Sequence, residues 1–90
     1  MKIVYDVQKD KINISKHQGI SLGKANYIEW DSLYVKEDKR FDYGEKRMIG
    51  YAFIGERLYC VVYTDRDSSR RIISLRKANK REVKDYVLNN

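Results

Sequence analysis

The sequence has 90 residues, of which 42% are hydrophobic and 36% charged, as is typical of one small, ordered, soluble domain. Its single cysteine, Cys60, excludes an intrachain disulfide framework and a multi-cysteine metal site. The sequence contains neither a run of about 20 apolar residues nor an apolar N-terminal signal segment, so we expect a cytoplasmic protein without a membrane partner.

The net charge of +6 comes entirely from the second half of the chain. Residues 1–45 contain eight Lys or Arg and eight Asp or Glu, whereas residues 46–90 contain eleven and five. A positive field concentrated on part of a small domain attracts polyanions. The distribution fits a nucleic acid or an acidic protein as the partner.

The first half of the chain predicts two strands and two helices. In chain order they are a strand over residues 2–5, a helix over about 7–16, a shorter helix over about 22–29 and a strand over 33–36. Asp6 and Ser21 stand where N-caps are expected, because their side-chain oxygens can accept from orphan amides of the first turn. Gly19 supplies the stop of the first helix.

The second half predicts a meander and a last helix. Three strands on short links, over residues 46–54, 57–65 and 70–77, form an antiparallel arrangement. The C-terminal helix begins with a capping box of Asn79 and Glu82, and its apolar stripe of Val83, Tyr86 and Val87 should dock on the sheet. We therefore predict one α+β domain over residues 1–90, with an antiparallel sheet of about four strands, two N-terminal helices and one C-terminal helix.

The strand over residues 70–77 gives the clearest indication of function. Strict alternation puts Ile73 and Leu75 on the packing face, and Arg70, Ile72, Ser74 and Arg76 on the opposite face. Guanidinium groups held beside a hydroxyl form a plausible anion site, and phosphate is the usual anion. Solvated arginines near a sheet edge would give the same pattern.

Three ordered blocks of residues stand out over about residues 3–86. The opening block is Tyr5-Asp6, Lys9, Asn13, Lys16-His17, Gly19-Ile20-Ser21 and Ala25. The middle block is Gly44-Glu45-Lys46-Arg47 with Gly50, and the closing block is Val61-Val62-Tyr63-Thr64, Arg71-Ile72-Ile73-Ser74, Arg76, Ala78, Glu82 and Tyr86. In this order and spacing, the blocks resemble the BrnT family of toxins. The chain departs from the family pattern where Gln18 separates His17 from Gly19.

The resemblance implies a RelE-like fold and a ribonuclease toxin of a type II toxin–antitoxin pair. Such toxins cut RNA without a metal ion and arrest translation. The resemblance also implies a BrnA-like, DNA-binding antitoxin, so that any contact with DNA is indirect. No cofactor is expected.

Metal-free RNA cleavage needs an acceptor for the 2′-hydroxyl proton, a cation for the phosphorane and a donor for the leaving 5′-oxygen. Arg76 is the first candidate for the cation and Arg47 the second, while Glu45 or His17 could transfer protons. Glu45 and Arg47 are equally expected as an exposed cross-strand ion pair. His17 is equally expected as a structural residue at a helix C-terminus.

Further cations could form a track for RNA, although each alone is also explained as a solvated side chain. These candidates are Arg70, Arg71, Lys77, Lys80 and Arg81. Tyr51, Tyr59 and Tyr63 could stack on bases or pack in the core. The ligand spacings of a zinc site are absent, so we expect no metal.

Two other functions remain open from the residues alone. One is a non-catalytic module that binds nucleic acid or an acidic partner through the same basic face. The other is a protein that only forms a complex and has lost its catalysis.

Overall fold

A computed structural model describes residues 1–89 and shows an α+β fold. The strands are β1 (Lys2–Tyr5), β2 (Tyr34–Glu37), β3 (Met48–Ile54), β4 (Arg57–Arg66) and β5 (Ser69–Lys77). The α-helices are α1 (Val7–Lys16) and α2 (Lys80–Asn89), and two 3₁₀ helices cover Leu22–Tyr27 and Trp30–Ser32. The predicted second N-terminal helix is therefore a 3₁₀ helix, which ends before the predicted boundary.

The described strands form one sheet in the order β1-β5-β4-β3-β2. The pairs β2–β3, β3–β4 and β4–β5 are antiparallel, as the meander predicts. The expected all-antiparallel sheet of about four strands is wrong in one respect, because β1 adds a fifth strand that runs parallel to β5. That pairing joins residues almost seventy positions apart, so no local pattern could reveal it.

One face of the sheet packs against α1 and the first 3₁₀ helix. The buried residues there are Ile20, Leu22, Ala25, Ile28, Ala52, Tyr59, Val61, Tyr63, Ile72 and Leu75. Buried Asn13 joins α1 to β5, because its amide nitrogen donates to the carbonyl oxygens of Ile20 and Leu75 at 2.8 Å each. Its side-chain oxygen accepts from the Leu75 amide at 3.2 Å, so every polar atom of the buried amide group is used.

Helix α2 covers only part of the other face. Tyr86 is its buried anchor, with its hydroxyl donating to the Ser32 carbonyl at 2.7 Å and its ring edge-on to Phe53. The predicted stripe is wrong at Val83 and Val87, which are 39% and 66% exposed, whereas Glu82 faces the sheet. Residues 82 and 86 lie one turn apart on the same side of the helix, so the ion pair of Glu82 sets its rotation.

A β-bulge changes the alternation of β5. Tyr63 pairs with Ile72 and Val62 pairs with Ser74, which leaves Ile73 as the extra residue. Ile72 and Leu75 are consequently both buried in the core. The prediction that Ile73 packs in the core while Ile72 faces the ligand side is therefore wrong, because the bulge reverses the alternation between them.

Candidate nucleic-acid interface

An open cleft lies on the sheet face that α2 leaves uncovered. Its volume is about 600 Å³, and β3, β4 and β5 form its floor. Ile49, Val62 and Ile73 supply the apolar part of that floor. The segment over residues 38–47, which joins β2 to β3, forms one wall, and the beginning of α2 forms another.

Arg76 reaches this cleft from β5 just after the bulge. Its Nη1 and Nη2 donate to the two carboxylate oxygens of Glu82, both at 2.7 Å. Glu82 also accepts from the Asn79 amide at 2.9 Å and from the Tyr51 hydroxyl at 3.1 Å. The carboxylate that caps α2 thus also orients the arginine. Nε of Arg76 donates to no acceptor within residues 1–89, so one edge of the guanidinium remains open.

The pair of Arg76 and Glu82 keeps both side chains charged. Hydrogen bonds from Arg76 hold the pKa of Glu82 at about 2, and the same bonds raise the pKa of Arg76. Burial raises the pKa of the Tyr51 hydroxyl, helped by the neighbouring Cys60 and Glu82. Tyr51 is therefore a protonated hydrogen-bond donor at the cleft.

Arg47 contributes a second guanidinium to the same cleft. Its central carbon lies 3.8 Å from the centre of the Tyr43 ring, a close cation–π contact. Its Nε is buried and has no hydrogen-bond partner among the described residues. Leaving such a donor unsatisfied costs about 1–3 kcal/mol, which an acceptor oxygen in the cleft would offset.

Glu45 does not line this cleft. Its carboxylate accepts from Nε and Nη2 of Arg66 at 2.9 and 3.1 Å, and it belongs to the outer side of the 38–47 segment. The expected cross-strand pair of Glu45 with Arg47 is not formed, because β3 begins at Met48 and both residues lie in the preceding loop. Sequence reasoning missed Glu37, an exposed carboxylate at the rim, which no periodic or motif signal singles out.

His17 lies beside Arg76 in a smaller cleft of about 170 Å³. It is the C-cap of α1, and its amide donates to the Asn13 carbonyl at 2.9 Å. Gln18 adopts a left-handed conformation with φ of 57°, so the extra residue forms a turn after the helix. Burial lowers the pKa of the His17 imidazole, and the charges of Arg76 and Lys16 lower it further. Because its pKa is lowered, His17 is neutral at physiological pH and can accept a proton.

Arg70 lies on the core face of the sheet, contrary to the predicted side. Its guanidinium lies over the rings of Trp30 and Tyr63, at 4.6 and 4.3 Å, and pairs with Asp65 at 2.8 Å. The bulge at Ile73 explains the error. Because it adds one residue to β5, Arg70 before it and Arg76 after it point to opposite faces of the sheet.

The other candidate cations are spread around the molecule. Lys77 borders the His17 cleft, and Lys80 borders a groove beside Arg57, the first residue of β4. Arg81 is exposed on α2. Arg71 pairs with Thr64 across the sheet, and by alternation points to the same side as the cleft.

The three strand tyrosines divide between the two predicted uses. Tyr59 and Tyr63 are 3% exposed and pack in the core. Tyr51 is partly exposed and presents its ring and hydroxyl to the cleft.

Within residues 1–89, no group of three or more His, Cys, Asp or Glu side chains comes together to hold a metal ion. No helix in that same range has the length and apolar character needed to cross a membrane.

The small sheet with its cationic cleft agrees with a comparison of the sequence against protein families. Residues 5–82 match a family described as ribonuclease toxin, BrnT, of type II toxin–antitoxin system. The protein is thus of the class of ribonuclease toxins of type II toxin–antitoxin systems. Membership of this class implies an RNA target and an antitoxin partner. The chain belongs to the BrnT family, which confirms the resemblance. No individual curated protein matches the sequence.

Proposed function

We propose that this chain is an endoribonuclease toxin that binds a phosphodiester of RNA between Arg47 and Arg76 and cleaves it without a metal ion. The observation that carries the proposal is the pair of incompletely bonded guanidinium groups in one cleft. Among the described residues, Arg47 has a buried Nε without an acceptor, and Arg76 has an open edge beside its bond to Glu82. The RelE-like fold implied by the resemblance is part of this proposal.

The two arginines stabilise the phosphorane. A guanidinium that approaches edge-on matches two non-bridging oxygens, and its charge gains strength where the ligand displaces water. Arg76 approaches from β5 with its orientation fixed by Glu82, and Arg47 approaches from the opposite wall with its plane fixed by Tyr43. The hydroxyl of Ser74 lines the floor and can donate to the same oxygens, whereas the Tyr51 hydroxyl donates to Glu82.

Proton transfer needs two further groups. The 2′-oxygen loses its proton as it attacks phosphorus, and the 5′-oxygen gains one as its bond to phosphorus breaks, which leaves a 2′,3′-cyclic phosphate and a 5′-hydroxyl. Glu37 at the cleft rim and neutral His17 on the far side of Arg76 are the groups best placed for these roles. Glu45 could take part only after leaving Arg66.

In the cell, RNA cleavage would inhibit translation, and a BrnA-like, DNA-binding antitoxin would neutralise the toxin. These parts of the proposal, together with a cytoplasmic location, rest on the family that the chain belongs to.

The test uses purified protein and an end-labelled RNA oligonucleotide in the presence of EDTA. We expect the wild type to cleave, and Arg76→Ala to be slower by about 100- to 1,000-fold, the usual effect of removing a transition-state hydrogen-bond donor. Arg57→Ala is the matched control, because it removes the same charge from a residue that lines a different groove. It should retain the wild-type rate within about twofold.

A substrate with a 2′-deoxy sugar at the cleavage position should resist the wild type. If it is cut, the attack of the 2′-oxygen is wrong. If the wild type leaves RNA intact but binds it, the chain is a binding module and the catalytic proposal fails.

A further inference from the structure

One buried carboxylate holds together the 38–47 segment, which forms a wall of the cleft. The side chain of Asp38 is only 1% exposed. It accepts hydrogen bonds from Nε and Nη2 of Arg40, both at 2.9 Å, from the Arg40 amide at 3.2 Å and from the Tyr43 hydroxyl at 3.0 Å. The Asp38 amide also donates to the Arg47 carbonyl at 2.8 Å. Both ends of the segment are therefore tied to Asp38.

These bonds keep Asp38 ionised. The hydrogen bonds from Arg40 hold the pKa of the carboxyl well below its usual range, and the Tyr43 hydroxyl lowers it further. A carboxylate with this many donors orients each of them, since every donor must point at one of two oxygens. Arg40 is thereby neutralised by Asp38, even though its side chain lies at the cleft rim.

Tyr43 transmits this order to Arg47. Its hydroxyl is fixed by Asp38, and the face of its ring lies 3.8 Å from the Arg47 guanidinium. A ring face attracts the cation but offers no acceptor in the guanidinium plane. The contact therefore fixes the plane of Arg47 and leaves its buried Nε without an acceptor within the described residues.

We infer that Asp38 and Tyr43 are positioning residues for Arg47, which they hold in the orientation that binds a phosphate oxygen of RNA. The inference rests on the proposed function, because RNA is taken as the ligand. Neither residue needs to touch the RNA. The segment acts as a brace, in which a buried carboxylate fixes a tyrosine and the tyrosine fixes the arginine.

The test compares Tyr43→Leu, Tyr43→Phe and Asp38→Asn. Leucine removes the ring, and we expect kcat/KM for RNA cleavage to fall by about 3- to 30-fold, as for loss of a desolvated cation–π contact. Phenylalanine keeps the ring and should lose less. Asp38→Asn weakens the same bond to the Tyr43 hydroxyl that Tyr43→Phe removes, so it should lose at least as much activity as Tyr43→Phe. Asp42→Asn is the matched control in the same segment, since exposed Asp42 bonds only to the Gly44 amide among residues 1–89, and it should match the wild type.

The decisive readout is a double-mutant cycle with Arg47→Ala. If Tyr43 acts through Arg47, Tyr43→Leu has no further effect once Arg47 is absent. An equal loss in both backgrounds would overturn the positioning role, as would full activity of Tyr43→Leu. A purely structural role of Tyr43 would give that equal loss.

The same cycle is run on affinity for an RNA oligonucleotide with a 2′-deoxy sugar at the cleavage position, which the protein can bind without cutting. If the wild type fails to cleave, the proposed catalysis is wrong, yet coupling of Tyr43 and Arg47 in affinity would still support the positioning role. Affinity without coupling would overturn that role alone. Urea unfolding of each variant confirms that it folds. If Asp38→Asn does not fold, Tyr43→Phe tests the bond between Asp38 and Tyr43 in its place.

Discussion

Arg47, Arg70 and Arg76 differ in the carboxylate that each one meets. Asp65 pairs with Arg70 beneath the sheet, and Glu82 pairs with Arg76 beside the cleft. No described carboxylate pairs with Arg47, which contacts the Tyr43 ring instead. Arg47 therefore has the least neutralised charge of the three, and Arg76 the best-defined orientation. A ligand with two anionic oxygens can use both properties.

We predict that Arg47→Lys lowers kcat/KM for RNA cleavage by about 10- to 100-fold, although the charge is kept. Lysine has no Nε donor at that position and no planar group to lie on Tyr43, so a charge-assisted hydrogen bond of about 1.5–3 kcal/mol is lost. Steady-state kinetics would measure the change, and urea unfolding would confirm that the variant folds. A lysine variant as active as the wild type would mean that only the charge matters.

Arg70→Ala should act mainly on stability. The side chain is 18% exposed and lies between two aromatic rings, so its removal loses two cation–π contacts and leaves Asp65 unpaired. We expect a loss of about 1–3 kcal/mol in the free energy of unfolding, measured in urea. The affinity for RNA should fall less than in Arg76→Ala. An unchanged stability with a large loss of affinity would instead place Arg70 in the RNA track.

At the scale of the elements, short-range signals predict well. The caps at Asp6 and Ser21 and the box of Asn79 with Glu82 are confirmed by hydrogen bonds between each cap and nearby amides. The β3–β4 hairpin is confirmed as well, with Gly55 at φ of 60° in its turn. Each of these depends on atoms within about four residues of one another, which a sequence displays directly.

Features that depend on distant partners could not be predicted in this way. The bulge at Ile73 exists because β5 must match β4, and it decides which arginines reach the cleft. The brace of the 38–47 segment could not be predicted either, since nothing local in the sequence shows that Asp38 is buried. Likewise, Glu45 pairs with Arg66, 21 positions away, rather than with its near neighbour Arg47.

Glu82→Gln tests how α2 and Arg76 depend on each other. The pKa of Glu82 is lowered from 4.5 to about 2, so its stabilisation is complete above about pH 4.5 and is lost as the pH falls towards 2. Between pH 5 and about 7, we expect the free energy of unfolding of the wild type to exceed that of the variant by on the order of 1–3 kcal/mol, discounted for partial exposure. The difference should shrink below pH 4.5.

Urea unfolding at several pH values measures this dependence. Asn79→Ala is the control, because it breaks the same capping box without removing a titrating group. Its destabilisation, about 1 kcal/mol, should be nearly independent of pH. If the difference in free energy of unfolding between Glu82→Gln and the wild type stayed constant down to pH 2, the pairing of Glu82 with Arg76 would be contradicted.

At the scale of the whole molecule, the excess charge does not form one continuous track. The candidate cations divide among the main cleft, the His17 cleft, the groove beside Lys80 and the core face. Arg76 borders both the main cleft and the His17 cleft. A bound strand that crosses Arg76 would therefore pass from one to the other, with the general positive field guiding its approach.

The salt dependence of RNA binding separates contact from general attraction. Each phosphate neutralised on a single strand contributes about 0.7 to the slope of the logarithm of affinity against the logarithm of salt concentration. Arg76→Ala and Arg47→Ala should each lower the magnitude of that slope by about 0.7, because each removes one phosphate contact. Arg57→Ala, which lies outside the main cleft, should leave it nearly unchanged.

Fluorescence anisotropy between about 50 and 200 mM salt would measure this slope, with the 2′-deoxy-substituted oligonucleotide as ligand. The three variants carry the same loss of net charge, so any difference among them reports position alone. If all three lower the slope equally, RNA is held by the overall field of +6 and the cleft has no special role. A selective effect of Arg47 and Arg76 would locate the phosphate at the place where the two walls of the cleft face each other.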